Sequence, residues 1–414
     1  MTLDRRLLLG LGLAAGLAIP SLAMAEDTIK VGVLATFEGA FTVLGEDSMR
    51  GAVMAVDDFG GKVAGKKIEI IKGSSDGSPD SAVRAIRKLV EQDGAKVVVG
   101  PLSGDEGLAI KDYLKTKPDV TVVNGTSAAQ DTTLRDPAPN FFRFSTDGAQ
   151  WMAGLGDYAY NTKNYKKVAT LAEDYSFPYT QVFGFMAPFC KAGGHVVKKF
   201  WVPIGTKDFA SVIAAMPDGI DAIYVVLGGS DSVNFLTQYK QAGGQAPLIG
   251  GSVTVDQTIL GSKGKIHDVV IGTPSAGPIA DDNSTPAWNK FVEAYKKIPN
   301  AFPSPSLFAH GYYVNAMALL TGLQKVNADV SDGGGKLRAT LASLVLETPT
   351  GKVSLDQNRN AIADMFLTEV TQKADGTLYN KLIKTIPQVN QTLGIPEAEF
   401  LKLGKVGRDN PSCP

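Results

Sequence analysis

The chain has 414 residues, 44% of them apolar and 20% charged, with a net charge of -1. That is ordinary globular chemistry and enough length for two or three domains. Near-neutral charge speaks against nucleic acid or an anionic membrane as partner. The three histidines, His195, His267 and His310, have no metal-ligand spacing, so neither metal nor cofactor is expected.

The first 25 residues read as a secretory signal peptide. Arg5 and Arg6 precede the apolar run Leu7–Pro20, and Ala23-Met24-Ala25 supplies small residues for cleavage after Ala25. The paired arginines also permit twin-arginine export. No later run is long enough to span a bilayer, so a soluble, exported, periplasmic protein is expected. In that oxidising compartment the two cysteines, Cys190 and Cys413, are expected to form one disulfide.

Strand and helix patterns alternate from Thr28 onward. Thr28–Ala35, Lys67–Lys72, Val97–Val99 and Val120–Val123 read as buried strands. Asp47–Phe59, Ser78–Asp93 and Glu106–Leu114 carry apolar residues at helical spacing. The pattern restarts with strands at Lys167–Ala172, His195–Trp201, Ala222–Leu227, Pro247–Ile249 and Val269–Gly272. Helices at Gln150–Asn161, Tyr179–Ala192, Phe209–Ala215 and Ser232–Ala242 lie among them. Helices at Pro286–Lys297, Ser306–Val326 and Lys336–Leu344 follow, then a β pair at Gly351–Leu355 and Met365–Val370. From Thr385 the chain shows little pattern. The fold class is therefore α/β, with two doubly wound units of similar size and a ligand cleft between them.

The stretch Val97–Asp105 (VVVGPLSGD), read with Asn124–Gln130 (NGTSAAQ), brings Ser103, Gly104, Thr126 and Ser127 beyond the carboxyl ends of two strands. Hydroxyls and helix-start N–H groups at that edge suit a carboxylate. Plain helix capping uses the same residue types.

One enzyme-like motif exists. Gly73–Gly77 (GSSDG) fits a nucleophile elbow with Ser75 as nucleophile, and His267 or His310 as a distant base. A polar turn entering the next helix is the preferred reading. Gly60–Lys66 imitates a phosphate-binding loop but precedes a strand, and Lys67 stands where Ser or Thr is needed. No catalytic residue is assigned, and the chain is expected not to be an enzyme.

In order, IKVGVLATFEG, VVVGPLSG, FRFSTDGAQ, AEDYSF, FLTQYKQAGG and FAHGYYVNAMALL resemble the type I periplasmic solute-binding proteins. The branched-chain amino acid and amide family, which feeds ATP-driven (ABC) importers, is the group it is most similar to. The resemblance implies two Rossmann-like lobes joined by three crossovers, placed near Phe144–Gly148, Thr273–Gly277 and Leu346–Gly351. Lobe 1 would comprise 26–146 and 276–347, lobe 2 147–275 and 348–380, with a tail over 381–414. It also implies an importer permease as partner and a monomer.

Carried over residue by residue, the first lobe would hold a ligand carboxylate at Ser103, Gly104, Ser127 and Ala128, with Thr126 adjacent. Gly104 and Ala128 depart from the Ser and Thr usual there. Asp147 matches one of two acids that hold an amino acid's ammonium, although it could equally cap a helix. The second acid, expected in Gly250–Thr254, is replaced by Ser252 or Val253. Phe177-Pro178 stands where Tyr-Gly is usual, and Phe37, Phe41 and Leu44 occupy the early loop. The expected ligand set is Phe37, Phe41, Ser103, Gly104, Thr126, Ser127, Asp147, Tyr175, Phe177 and Ser252. A small carboxylate with an aromatic body is the expected ligand. A branched-chain amino acid or amide, or a sensor role at a membrane receptor, is the alternative.

Overall fold

A computed structural model describes residues 28–262 and 266–413; the side chain of His267 is not described, and the signal peptide lies outside these residues. Two mixed sheets form two lobes. The first runs in the order Lys62–Val63, Lys66–Ser75, Thr28–Thr36, Val97–Val99, Thr121–Val123, Phe141–Phe142. Only the Lys62–Val63 edge is antiparallel. The VVV run at 97–99 is at most 1% exposed, as its unbroken β-branched composition requires of a strand covered on both faces.

The second sheet is built on parallel strands Lys167–Glu173, His195–Val202, Ala222–Val226, Leu248–Gly250 and Pro274–Gly277. Ala361–Gln372 joins it antiparallel to Pro274–Gly277, and Leu378–Val389 pairs along Ala361–Gln372. Helices Thr42–Asp58 and Leu307–Lys325 pack together on the first lobe, and Ser176–Lys191 covers the second.

Three expectations are corrected. Val269–Gly272 is not a strand: His267–Val270 is a short helix, and the strand is Pro274–Gly277. That strand lies where the second crossover was placed, so the chain returns to the first lobe only after Gly277. Leu346–Thr348 pairs with Gly351–Leu355, so the third expected crossover is a hairpin on the second sheet. Leu378–Val389 is a strand, so 381–389 is not tail. Its pattern is hard to read because its outer face is exposed and Pro387 interrupts it, as an edge strand permits.

Beyond Val389 the chain is tied down at several points. Phe400 packs edge-on to Phe183, with centroids 5.8 Å apart. Arg408 pairs with Asp174. Cys190 and Cys413 are joined, closing a separation of 223 residues.

Candidate functional site

An apolar cavity sits where the lobes meet. It is lined by Phe41, Leu44, Leu102, Thr126 and Phe308 from the first lobe, and by Trp151, Tyr175, Phe177, Gly228 and Val253 from the second. Its volume is about 20 Å³, room for one water, which needs roughly 10–15 Å³ by the same measure. Nothing much larger than a water fits while the lobes are in this arrangement.

Local structure explains each placement. A single 3-10 turn, Gly39–Phe41, leads into the Thr42 helix and turns Phe41 inward, where it is 1% exposed. Tyr175 and Phe177 flank the start of the Ser176 helix. Their ring centroids are 6.1 Å apart; Tyr175 lies 6.2 Å from Phe41, and Phe177 meets Trp151 edge-on at 5.6 Å. These rings form a continuous aromatic wall across both lobes.

Among the described residues, no acidic or basic side chain lines this cavity. Two lining residues carry buried polar atoms without a hydrogen-bond partner: Thr126 Oγ1 and Trp151 Nε1. Ser127 Oγ, next to Thr126, is in the same condition. A buried donor left unmatched is costly, so such groups mark where a ligand's acceptor belongs.

The structure brings Phe41, Thr126, Tyr175 and Phe177 together and parts the rest. Phe37 is half-buried outside the cavity, under the Lys72 ammonium at 3.5 Å. Ser103 is a helix cap: its Oγ donates to Gly77 O at 2.8 Å and accepts from Glu106 N, whose carboxylate accepts from Ser103 N. The Thr126 and Ser127 N–H groups both donate to Pro101 O. Gly104 is a contact between lobes; an added Cβ would lie 2.6 Å from Ser176 Oγ and 2.8 Å from Phe177 N. Ser252 Oγ accepts from Gln181 Nε2 at 2.7 Å, and its neighbour Val253 faces the cavity instead.

Asp147 is the largest correction. It caps the Gly148 helix through Ala149 N and Gln150 N, accepts from Gln391 Nε2 at 3.1 Å, and lies 3.9 Å from Arg143. Burial raises its pKa, opposed by the Arg143 charge. Arg143 is fully buried, and burial lowers it to about 10. It donates to Asn360 Oδ1 at 2.7 Å, Ala129 O at 2.7 Å and Thr133 Oγ1 at 2.5 Å. The capping reading of Asp147 therefore holds, inside a buried network at the first crossover.

Leu44, Leu102, Trp151, Gly228, Val253 and Phe308 were not among the expected site residues. Leu44 and Val253 lay in segments already singled out. Trp151 and Phe308 carry no local signal, because apolar positions of a helix look alike whether they face core or cleft.

Ser75 is no elbow. It ends a strand, is fully buried, and bonds to Ala35 O and Thr36 Oγ1. His310 pairs with Thr350 Oγ1 at 3.1 Å, and burial lowers its pKa to about 3.

Two α/β lobes meeting over an apolar cavity are the architecture of a cleft-binding receptor. The chain belongs to the periplasmic binding protein family, a family of binding proteins and not of enzymes, matching it over residues 28–377. It is 26% identical over 381 residues to the Leu/Ile/Val-binding protein homolog 6 of Brucella melitensis, covering 89% of this chain and 95% of that one. An ABC transporter substrate-binding protein from Sphaerobacter thermophilus superposes with a TM-score of 0.78 at 29% identity, over 88% of this chain and 99% of that chain. A solute-binding protein of an ABC transporter from Rhodopseudomonas palustris, in complex with 3,4-dihydroxybenzoic acid, gives 0.81 at 27% identity over the same shares.

Proposed function

We propose that this protein is an exported solute receptor that delivers a small aromatic carboxylic acid to an ABC importer. The observation that carries this reading is the cavity wall: aromatic and aliphatic, with donors at Thr126 and Trp151 and no acid. A zwitterionic amino acid would bring its ammonium to a wall with no acid of its own; the carboxylates near it lie behind the lining, as Glu173 does, bonded to Gly228 N at 3.0 Å, and a buried charge without a direct partner is costly. A carboxylate would accept from Thr126 Oγ1 and Trp151 Nε1. Phe41, Tyr175 and Phe177 would cover the ring. The similarity to the dihydroxybenzoate-bound receptor supports the same class.

The test is a thermal-shift screen of ligand-stripped protein against aromatic carboxylates and aliphatic amino acids. A ligand at about 100 times its Kd stabilises by about 2.7 kcal/mol, several degrees in midpoint. Shifts with benzoate-class acids are expected. A response to leucine or valine alone would overturn the reading.

A further inference from the structure

A second cavity lies in the cleft beside the aromatic one, also about 20 Å³, the size of one water or one small ion. Its wall is mixed: apolar Val255, Ala276, Pro278, Ile279 and Leu307 surround a polar group of Gln257 and Asn380 from the second lobe and Asp281, whose N–H donates to Asn380 O, with Ser252 and Asp256 also lining it. Gln257 Nε2 donates to Asp281 Oδ2 at 2.7 Å. Asn380 N donates to the same oxygen at 2.7 Å, and Asn380 Nδ2 to Val255 O at 2.7 Å. With both amide nitrogens engaged by acceptors, the orientation of each amide is fixed.

The remaining ends are Gln257 Oε1, Asn380 Oδ1 and Asp281 Oδ1. All three are buried without a hydrogen-bond partner, and Gln257 is 1% exposed. All three accept and none donates. Asp256 adds no free oxygen, since it accepts from Thr258 N and from Leu307 N. Among the described residues the charges acting on Asp256 and Asp281 are themselves carboxylates, Asp47 and Asp282.

We propose that this cavity binds a small hard cation of the Na⁺ or Ca²⁺ class, ligated by Asp281, Gln257 and Asn380 with water completing the shell. Hard cations take oxygen ligands from carboxylates and amide carbonyls, the donor set present here. A water alone would donate to two of the three oxygens and leave the third bare, with the Asp281 charge offset only by the neutral donors Gln257, Asn380 and Ser304. The proposal does not depend on the organic ligand, which the proposed function assigns to the neighbouring cavity.

The experiment uses mature, ligand-free protein treated with chelator and dialysed into N-methylglucamine chloride. Thermal unfolding is then followed against NaCl and CaCl₂ at matched ionic strength. A saturable rise of several degrees with one ion, absent in Asp281→Asn and in Gln257→Leu, is expected. The second variant serves if the first does not fold, because it removes a neutral ligand only. A flat response to both ions, or a response that survives in either variant, overturns the proposal and assigns the cavity to a buried water.

Discussion

Asp256 of the second lobe accepts a hydrogen bond from the backbone N–H of Leu307 at 2.8 Å, capping the first lobe's long helix from across the cleft. The reverse contact exists on the other side of the aromatic cavity. Asp105 of the first lobe accepts from Ser176 N at 3.0 Å, at the start of the second lobe's Ser176 helix. Each lobe thus presents a helix N-terminus and an acid to the other. Helix starts carry partial positive charge, so both contacts favour the closed form. Closure requires such differential contact between states.

Burial raises the pKa of Asp256 to about 7. For a carboxyl whose folded pKa lies above its unfolded value, ionisation is disfavoured in the fold. The group therefore lowers stability as pH rises from about 4 to about 7, and the penalty is complete above that. Asp256→Asn, which keeps one oxygen for Leu307 N and loses the acceptor for Thr258 N, should flatten this part of the profile while lowering the midpoint at every pH. Unfolding midpoints of both proteins between pH 5 and 8 check it; parallel profiles would refute the assignment.

Gly104→Ala separates closure from folding. Gly104 opens a helix, where Ala is favoured by up to about 1 kcal/mol, yet its Cβ would meet Ser176 and Phe177 on closing. The variant should melt no lower than wild type without ligand and bind an aromatic acid at least tenfold more weakly. Calorimetry and small-angle scattering with and without the acid supply both readings. Unchanged affinity would mean that the lobes close less tightly at this point.

Phe177→Leu removes an edge-on ring contact to Trp151 and part of the cavity wall. Aromatic pairs contribute about 0.5–1.5 kcal/mol beyond area, so affinity for a ring acid should fall several-fold. Affinity for a comparably sized aliphatic acid should change less. Equal losses for both would make the residue a packing element only.

Arg143→Met leaves Ala129 O, Asn360 Oδ1 and the Asp147 carboxylate without their cation. Removing one member of a buried charged pair costs about 3–5 kcal/mol. Urea unfolding should show that loss; one below about 1 kcal/mol would mean the network repacks.

Cys413→Ser should lower stability by up to about 5 kcal/mol in the chain-entropy account of a long loop. Ligand affinity should not change. Cys190 lies near the C-terminal end of the Ser176 helix, roughly 20 Å along its axis from Phe177 at 1.5 Å per residue. An affinity change in the variant would show that the tail reaches the cleft.

The sequence by itself determined the alternation of strands and helices, the two α/β units and the aromatic side chains that line the candidate cavity. Each rests on local signals: β-branched runs, helical spacing, and the rings of Phe41, Tyr175 and Phe177. The cysteine pairing followed from there being only two. Tertiary structure alone decided which polar groups remain for a ligand. Ser103 and Asp147 look like ligand donors and acceptors until their partners Gly77, Arg143 and Gln391 arrive from elsewhere in the chain. Phe37 and Phe41 are equivalent in sequence, but one 3-10 turn sends Phe41 into the cleft while Phe37 stays under Lys72. Trp151, Val253 and Phe308 join the site only because the lobes close there. Whether a hydroxyl, an acid or a ring serves packing or ligand depends on its distant neighbours, and local sequence does not contain them.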